Sequence, residues 1–226
     1  MTLPAIIVEG GLFAPDLIEA LELRPDQVDG QRAQDFGPAA GTRLSDTIQN
    51  AFSLAQGLWT KFESRRLAAG DAATTVTRSA WALPFLQNAL DFTDLPFQRA
   101  AQVVGGQNFP ISHLAADASG AVPVHIVAFD RELDARGSDR WSPHALVQEY
   151  LNRSDALWGI VTNGRRLRLL RDTTRVTRPT YLEVDLEGVV AGGLYAESAV
   201  LWRLLHRSRF PKEAGDAHTC RLERWY

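Results

Sequence analysis

The chain has 226 residues, 45% of them hydrophobic and 23% charged, with a formal net charge of −3 and a single cysteine, Cys220. Those values exclude collagen, coiled coil and wholesale disorder, and describe an ordinary globular chain of one large or two small domains. No run approaches the roughly 20 apolar residues of a membrane span. The start MTLPAIIVEGG lacks the basic stretch of a secretion signal, and one cysteine makes neither an internal disulfide nor a thiolate metal cluster; a cytoplasmic protein, with no membrane partner and held by core packing, is expected.

The basic residues are unevenly chosen. Lys61 and Lys212 are the only lysines, and the others are arginine. Any chemistry that needs a lysine has two places to find one.

Residues 1–40 contain Gly10–Gly11, two Pro-Asp pairs at 15/16 and 25/26, and Gly37–Pro38. This punctuation leaves room for a short helix from Pro15 to Leu23 within an otherwise irregular amino-terminal arm. Residues 41–226 are read as an α/β domain. Leu44, Ile48, Ala51, Phe52, Ala55, Leu58, Trp59 and Phe62 recur at spacings of three and four, which predicts a long amphipathic helix ending near Gly70. A second helix is expected after Thr77, through Trp81, Phe85, Leu86 and Leu90, with Pro84 tolerated in its first two turns.

From Gly105 the period becomes strand-like. Ile111 to Ala115 and Val122 to Phe129 read as a hairpin around Asp117 to Gly120. Alternation puts Val122, Val124, Ile126 and Ala128 on one face and His125, Val127 and Phe129 on the other. Ser142 and Pro143 open a helix to Leu151. Residues 157–162 and 165–171 flank Asn163–Gly164, the strongest short-range hairpin signal in the chain. A strand at Tyr181 to Val184 and a closing helix at Leu194 to Phe210 complete an α/β chain, with one mixed sheet flanked by the helices at 44–68 and 143–151.

This order matches the nuclease core whose active site is written PD-(D/E)xK. That site needs carboxylates near the ends of adjacent strands to hold Mg²⁺ and a lysine two residues after the last of them. Asp117, Asp130 and Glu132 are the candidate carboxylates, but Glu132 stands where the lysine belongs. Arg136 is the nearest substitute, and a permanently protonated guanidinium cannot act as a base. The core is therefore read as degenerate, with Mg²⁺ required only if the chain is an active endonuclease after all. Solvated turn carboxylates account for the same residues. His113, His125 and His144 are scattered rather than set at ligand spacing, and no metal site is expected.

A second constellation is basic. Arg165, Arg166, Arg168, Arg171, Arg175 and Arg178 fall within fourteen residues, interrupted by one acid, Asp172. Such a cluster suits the phosphates of duplex DNA; a charged edge that keeps a hairpin soluble explains it too. Alternation sends Arg166 and Arg168 to one face. Replacing both is expected to flatten the salt dependence of DNA binding and leave the fold intact.

Several stretches are distinctive together: PHALVQEYLNRSD (143–155), LWGIVTNGRRLRLLRD (157–172), VTRPTY (176–181), EVDLE (183–187) and LWRLLHRSRF (201–210), with FPISH (109–113) and VPVH (122–125) upstream. From about Gly10 onward the chain resembles the amino-terminal region of large adenine-specific DNA methyltransferases of restriction-modification systems, the type IIG-like and DISARM-class phage-defence methylases. The resemblance implies a nuclease-like domain followed, in the parent family, by a methyltransferase that binds S-adenosylmethionine. No S-adenosylmethionine site or Asn-Pro-Pro-Tyr-type motif occurs in these residues, so no cofactor is expected in this chain, which reads as part of a longer protein. DNA, the downstream methyltransferase domain and other defence-system subunits are the partners it implies. Three functions follow as expectations: a non-catalytic domain that engages DNA or docks partner domains, an active Mg²⁺-dependent endonuclease, and a structural adaptor without DNA contact.

Overall fold

A computed structural model describes residues 3–37, 41–69, 74–115, 122–172 and 179–226. Among these residues eight strands lie in two sheets. The larger has the order β1-β8-β7-β6-β5-β4, formed by β1 (Ile6–Glu9), β8 (Tyr181–Asp185), β7 (Arg166–Arg171), β6 (Trp158–Thr162), β5 (Pro123–Ile126) and β4 (His113–Leu114). Only β5 and β6 pair in parallel; every other neighbour is antiparallel. The four expected strands share one mixed sheet, as β4, β5, β6 and β7. A separate hairpin joins β2 (Gln102–Val104) to β3 (Gln107–Phe109).

The parallel pair needs a crossover, and α4 (Pro143–Arg153) supplies it. Pro143 occupies the first turn and the Ser142 hydroxyl accepts from the Ala145 amide at 3.2 Å, satisfying a donor that the helix start leaves open. Ser142→Ala should therefore lower stability by about 1 kcal/mol, a fall of roughly 2–4 °C in a thermal melt. An unchanged midpoint would show that water replaces the cap.

The two faces of the sheet bury different cores. Val124, Ile126, Trp158, Ile160, Leu167, Leu169, Leu182 and Val184 pack on one side. They meet α2 (Leu44–Ala69), α3 (Leu83–Ala89), α5 (Leu186–Ala191) and α6 (Tyr195–Leu205). On the other, Val161 and Leu170 join Leu146, Val147 and Leu151 of α4 with Phe109, Ile111 and Leu133. The period-2 alternation of β6 and β7 feeds both clusters, so these strands are buried on both sides.

Four elements depart from the expected pattern. The amino-terminal arm is not irregular throughout: α1 spans Pro15–Leu23 as read, but Ile6–Glu9 is an edge strand of the main sheet, paired from Ile6 to Val184 through Glu9 to Tyr181. Four residues between Pro4 and Gly10 carry too little periodicity to announce a strand. The helix after Thr77 begins as a π-helical segment, Thr77–Ala82, and becomes α3 at Leu83. Pro84 has no amide for an intrahelical bond and its ring would meet the carbonyl four residues back; the wider turn relieves both. This segment holds Trp81, whose indole donates to Gly164 O at 2.6 Å. A side chain at Gly164, where φ is +80°, would come within 2.8 Å of Thr77 and 2.9 Å of Trp81, so the Asn163–Gly164 turn needs glycine for both conformation and space.

The closing helix stops at Leu205, because His206 turns to ψ 137° and the Arg207 amide bonds to Leu90 O at 2.8 Å. A single turn at Arg207–Arg209 follows. A last short helix, α7 (Arg221–Trp225), is folded against it. Arg209 donates to the carbonyls of Gly30 (2.5 Å) and Asp35, tying segment 30–35 to the carboxyl end. No helix among the described residues is long and apolar enough to cross a membrane.

Candidate functional site

β5 ends at Ile126, three residues earlier than its alternation suggests, and the chain loops from Val127 to Ser142 before α4. That loop, the β2–β3 turn and the exposed side of β5 enclose a cleft of about 850 Å³, within the range of small-molecule sites. Gly105 and Gly106, both at positive φ (55° and 75°), make the β2–β3 turn and form one wall. Arg131, Asp139, Arg140 and Trp141 of the loop and His125 of β5 also line it.

The walls are held in place. Arg131 donates to Arg136 O at 2.7 Å and to the Asp139 carboxylate at 2.9 Å, bracing the loop. Trp141 stacks on Phe109, with ring centroids 5.4 Å apart and planes at 13°. The guanidinium of Arg140 lies 4.3 Å from the indole centroid. Arg140 is exposed and makes no ion pair among the described residues.

Two polar atoms of residues that line the cleft lack a partner. His125 Nδ1 and Gln107 Nε2 are buried without a hydrogen bond, which native structures seldom tolerate. Burial lowers the His125 pKa from 6.5 to about 4, so the ring is neutral at pH 7. An unpaired lone pair costs less than an unpaired N–H; the tautomer this favours keeps Nδ1 bare and leaves Nε2 as the donor.

Neighbouring His113 is settled by its network. The Ser112 hydroxyl donates to Val124 O at 3.1 Å and accepts from the Ile126 amide at 2.9 Å, so His113 Nδ1, 2.8 Å away, is the donor to it. Desolvation, with the charge of Arg78 and of His125, lowers the His113 pKa to about 4. His144 is likewise lowered to about 4 by burial and by Arg168, from which its Nδ1 accepts at 3.1 Å.

The candidate nuclease carboxylates do not share a described site. Asp117 lies outside the described residues. Asp130 is exposed in a turn four residues past the end of β5, in a hollow beside the cleft that Arg131 and Asp139 also line. Glu132 is exposed. Among the described residues no three His, Cys, Asp or Glu side chains are grouped to hold a metal ion. Lys61 is on α2 and Lys212 follows the last turn of the α6 region; neither lines the cleft.

The arginine cluster is divided and largely neutralised. Arg165 pairs with Glu187 at 2.9 Å. Arg166, half exposed, reaches Glu183 at 3.0 Å. Arg168 is 4% exposed: its Nε donates to Glu183 at 2.6 Å, its two terminal nitrogens grip both oxygens of Asp134 at 2.6 and 2.8 Å, and it lies 4.4 Å from the Tyr181 ring. Desolvation opposes the charge on Arg168, but Asp134 and Glu183 outweigh it and raise the pKa further. Arg171 faces the other side of the sheet, bidentate to Glu223 at 2.9 and 3.0 Å and 3.8 Å from Tyr226. Arg175 and Arg178 lie outside the described residues.

Alternation therefore places Arg166 and Arg168 on one face, where both share Glu183. The expectation that both can be removed without harm to the fold is corrected by that partner: without Arg168, a carboxylate with a 9% exposed side chain loses its buried cation.

The cleft itself was not anticipated from the sequence. Its signals were local and separate: a Gly-Gly pair between Val103–Val104 and Phe109, and a Trp one residue before a helix cap. Nothing in their spacing says that a hairpin at 102–109 faces a loop at 127–142. No family model, curated protein or solved structure matches this chain.

Proposed function

We propose that this chain is a nuclease-like domain that engages DNA without cutting it, of the kind that accompanies adenine-specific methyltransferases in restriction-modification and phage-defence systems. The observation that carries this reading is the character of the cleft over the end of β5. A metal-dependent nuclease needs acidic ligands and a nearby lysine there. The side chains that line this cleft include His125, Gln107, Arg131, Arg140 and Trp141, and its one carboxylate among the described residues, Asp139, is committed to Arg131. Guanidinium and aromatic groups bind phosphates and bases; they neither hold Mg²⁺ nor generate hydroxide.

The cleft, rather than the arginines of β7, is the surface that contacts DNA in this reading, because each described arginine from 165 to 171 already has a carboxylate. A 20-base-pair fluorescent duplex should bind weakly at about 50 mM salt, regardless of sequence, with affinity falling on a log-log slope of about −0.9 per phosphate contacted. Plasmid DNA should stay intact in Mg²⁺ or Mn²⁺. Cleavage abolished by Asp130→Ala would establish the endonuclease instead, and absence of duplex binding at that salt would remove the DNA reading.

A further inference from the structure

We infer that the cleft between the β2–β3 hairpin and the 127–142 loop is a pocket for a single nucleotide unit, with the base lodged among Gln107, His125 and Trp141 and the phosphate at Arg140. Two sources present that chemistry, a free nucleoside phosphate or an unpaired nucleotide of a DNA strand. The second rests on the DNA-binding reading above; the first does not.

The volume comes first. About 850 Å³ is far more than an ion needs and suits a ring system bearing a phosphate. Next are the orphaned atoms. The Gln107 amide nitrogen is a donor buried without an acceptor, the neutral His125 ring carries a bare acceptor nitrogen, and both side chains line the cleft. Buried polar groups without partners are costly; a base offers ring nitrogens and carbonyl oxygens that accept from an amide N–H, and an exocyclic amine that donates to a bare imidazole nitrogen. Trp141, Val127 and Leu146 provide an aromatic and apolar surface for the flat face of the base.

The cations complete the site. Arg131 is fixed by Asp139 and the Arg136 carbonyl, which braces the loop that presents Arg140. Arg140 has an exposed guanidinium resting over Trp141 and no carboxylate among the described residues to give up. A guanidinium takes a phosphate through two parallel N–H donors. The Gly105–Gly106 turn leaves open space where side chains would stand: a Cβ built on either glycine meets nothing within 4 Å.

Calorimetric titration of the whole chain with adenosine 5′-monophosphate, adenosine and inorganic phosphate tests this. The nucleotide should bind, and each half alone should bind at least tenfold more weakly. Arg140→Ala, which removes a surface cation with no ion pair among the described residues, should weaken the nucleotide about tenfold with an unchanged melt, as expected for one lost charge-assisted contact. Gln107→Leu should weaken adenosine and the nucleotide alike and leave phosphate unaffected. A single-stranded oligonucleotide that displaces the nucleotide identifies a strand as the source; a nucleotide that binds and is not displaced is itself the ligand.

Equal affinities for the nucleotide and inorganic phosphate, or wild-type nucleotide affinity in both variants, would overturn the pocket. Duplex binding that is weakened by Arg140→Ala, together with no nucleotide binding, would remove the pocket and leave the DNA-binding reading standing. Nucleotide binding without any duplex binding would do the reverse.

Discussion

Replacing Arg168 with alanine should destabilise the fold by about 3–5 kcal/mol, the usual result of taking one partner from a buried ion pair. The effect is large because the loss is not of one contact. Arg168 stands across from Glu183 in the β7–β8 register and bonds to Glu183, Asp134 and His144 at once. Without it, Glu183 is a buried carboxylate facing only the half-exposed Arg166, and the loop carrying Asp134 loses its anchor to the sheet. Denaturant unfolding of three variants separates these effects. Arg166→Ala should cost no more than about 1 kcal/mol, as for an exposed pair. Arg168→Met with Glu183→Leu should recover more than half of the loss from Arg168→Ala, since no buried charge is then left uncompensated. If the single and double variants are equally unstable, the cost comes from packing rather than charge.

Acid should unfold this protein over a range in which most of its carboxylates are still ionised. Four histidines, His113, His125, His144 and His206, have pKa values lowered from 6.5 to about 4, with burial the leading cause in each. In the unfolded chain each takes up a proton near pH 6.5; in the fold each resists until about pH 4. The unfolded state therefore binds more protons between those values, and stability falls as pH falls. Each histidine withdraws about 3 kcal/mol over the full interval, and the four together are of the order of the whole stability of a domain.

Asp134 acts in the same sense at lower pH. Its hydrogen bonds to Arg168 hold its carboxyl below 3.8, so its contribution is present above that value and lost as pH drops through the lower folded one. The unfolding free energy measured by urea should be flat from pH 8 to 7 and fall steeply from 6.5 towards 4.5, with a slope approaching four protons. His206→Gln should reduce that slope by about one proton, because its ring, held by Ser208, is remote from the cleft and its removal leaves the other three intact. Constant stability between pH 7 and 5 would show that these rings are already solvated.

The arrangement around Arg168 also shows how charge in a sequence can mislead. RRLRLLR over 165–171 reads as a basic strip because neighbours along the chain are all that a sequence displays. In the fold, Glu183 and Asp134 arrive from 15 and 34 residues away, and Glu223 from 52. A buried arginine without such partners would be unaffordable; the acids are what allow the strand to enter the sheet.

Local chemistry determined much of this protein on its own. The 3.6-residue period specifies α2, Ser142 with Pro143 starts α4, and Asn163–Gly164 turns β6 into β7, because in each case the governing interactions lie within a few residues. Alternation on β6 and β7 likewise fixes which side chains share a face, since pleat geometry is a property of the strand. Tertiary structure decided the rest. Ile6–Glu9 becomes a strand only because β8 offers an open edge 175 residues later, and Trp81 finds its acceptor in Gly164 only once the π-helical segment lies on the β6–β7 turn. The cleft exists because a two-stranded hairpin and a loop that is irregular in sequence come together beside β5. Its orphaned polar atoms, the Gln107 amide nitrogen and the bare His125 Nδ1, are defined by what surrounds them, and burial by distant segments is a quantity that no local pattern encodes.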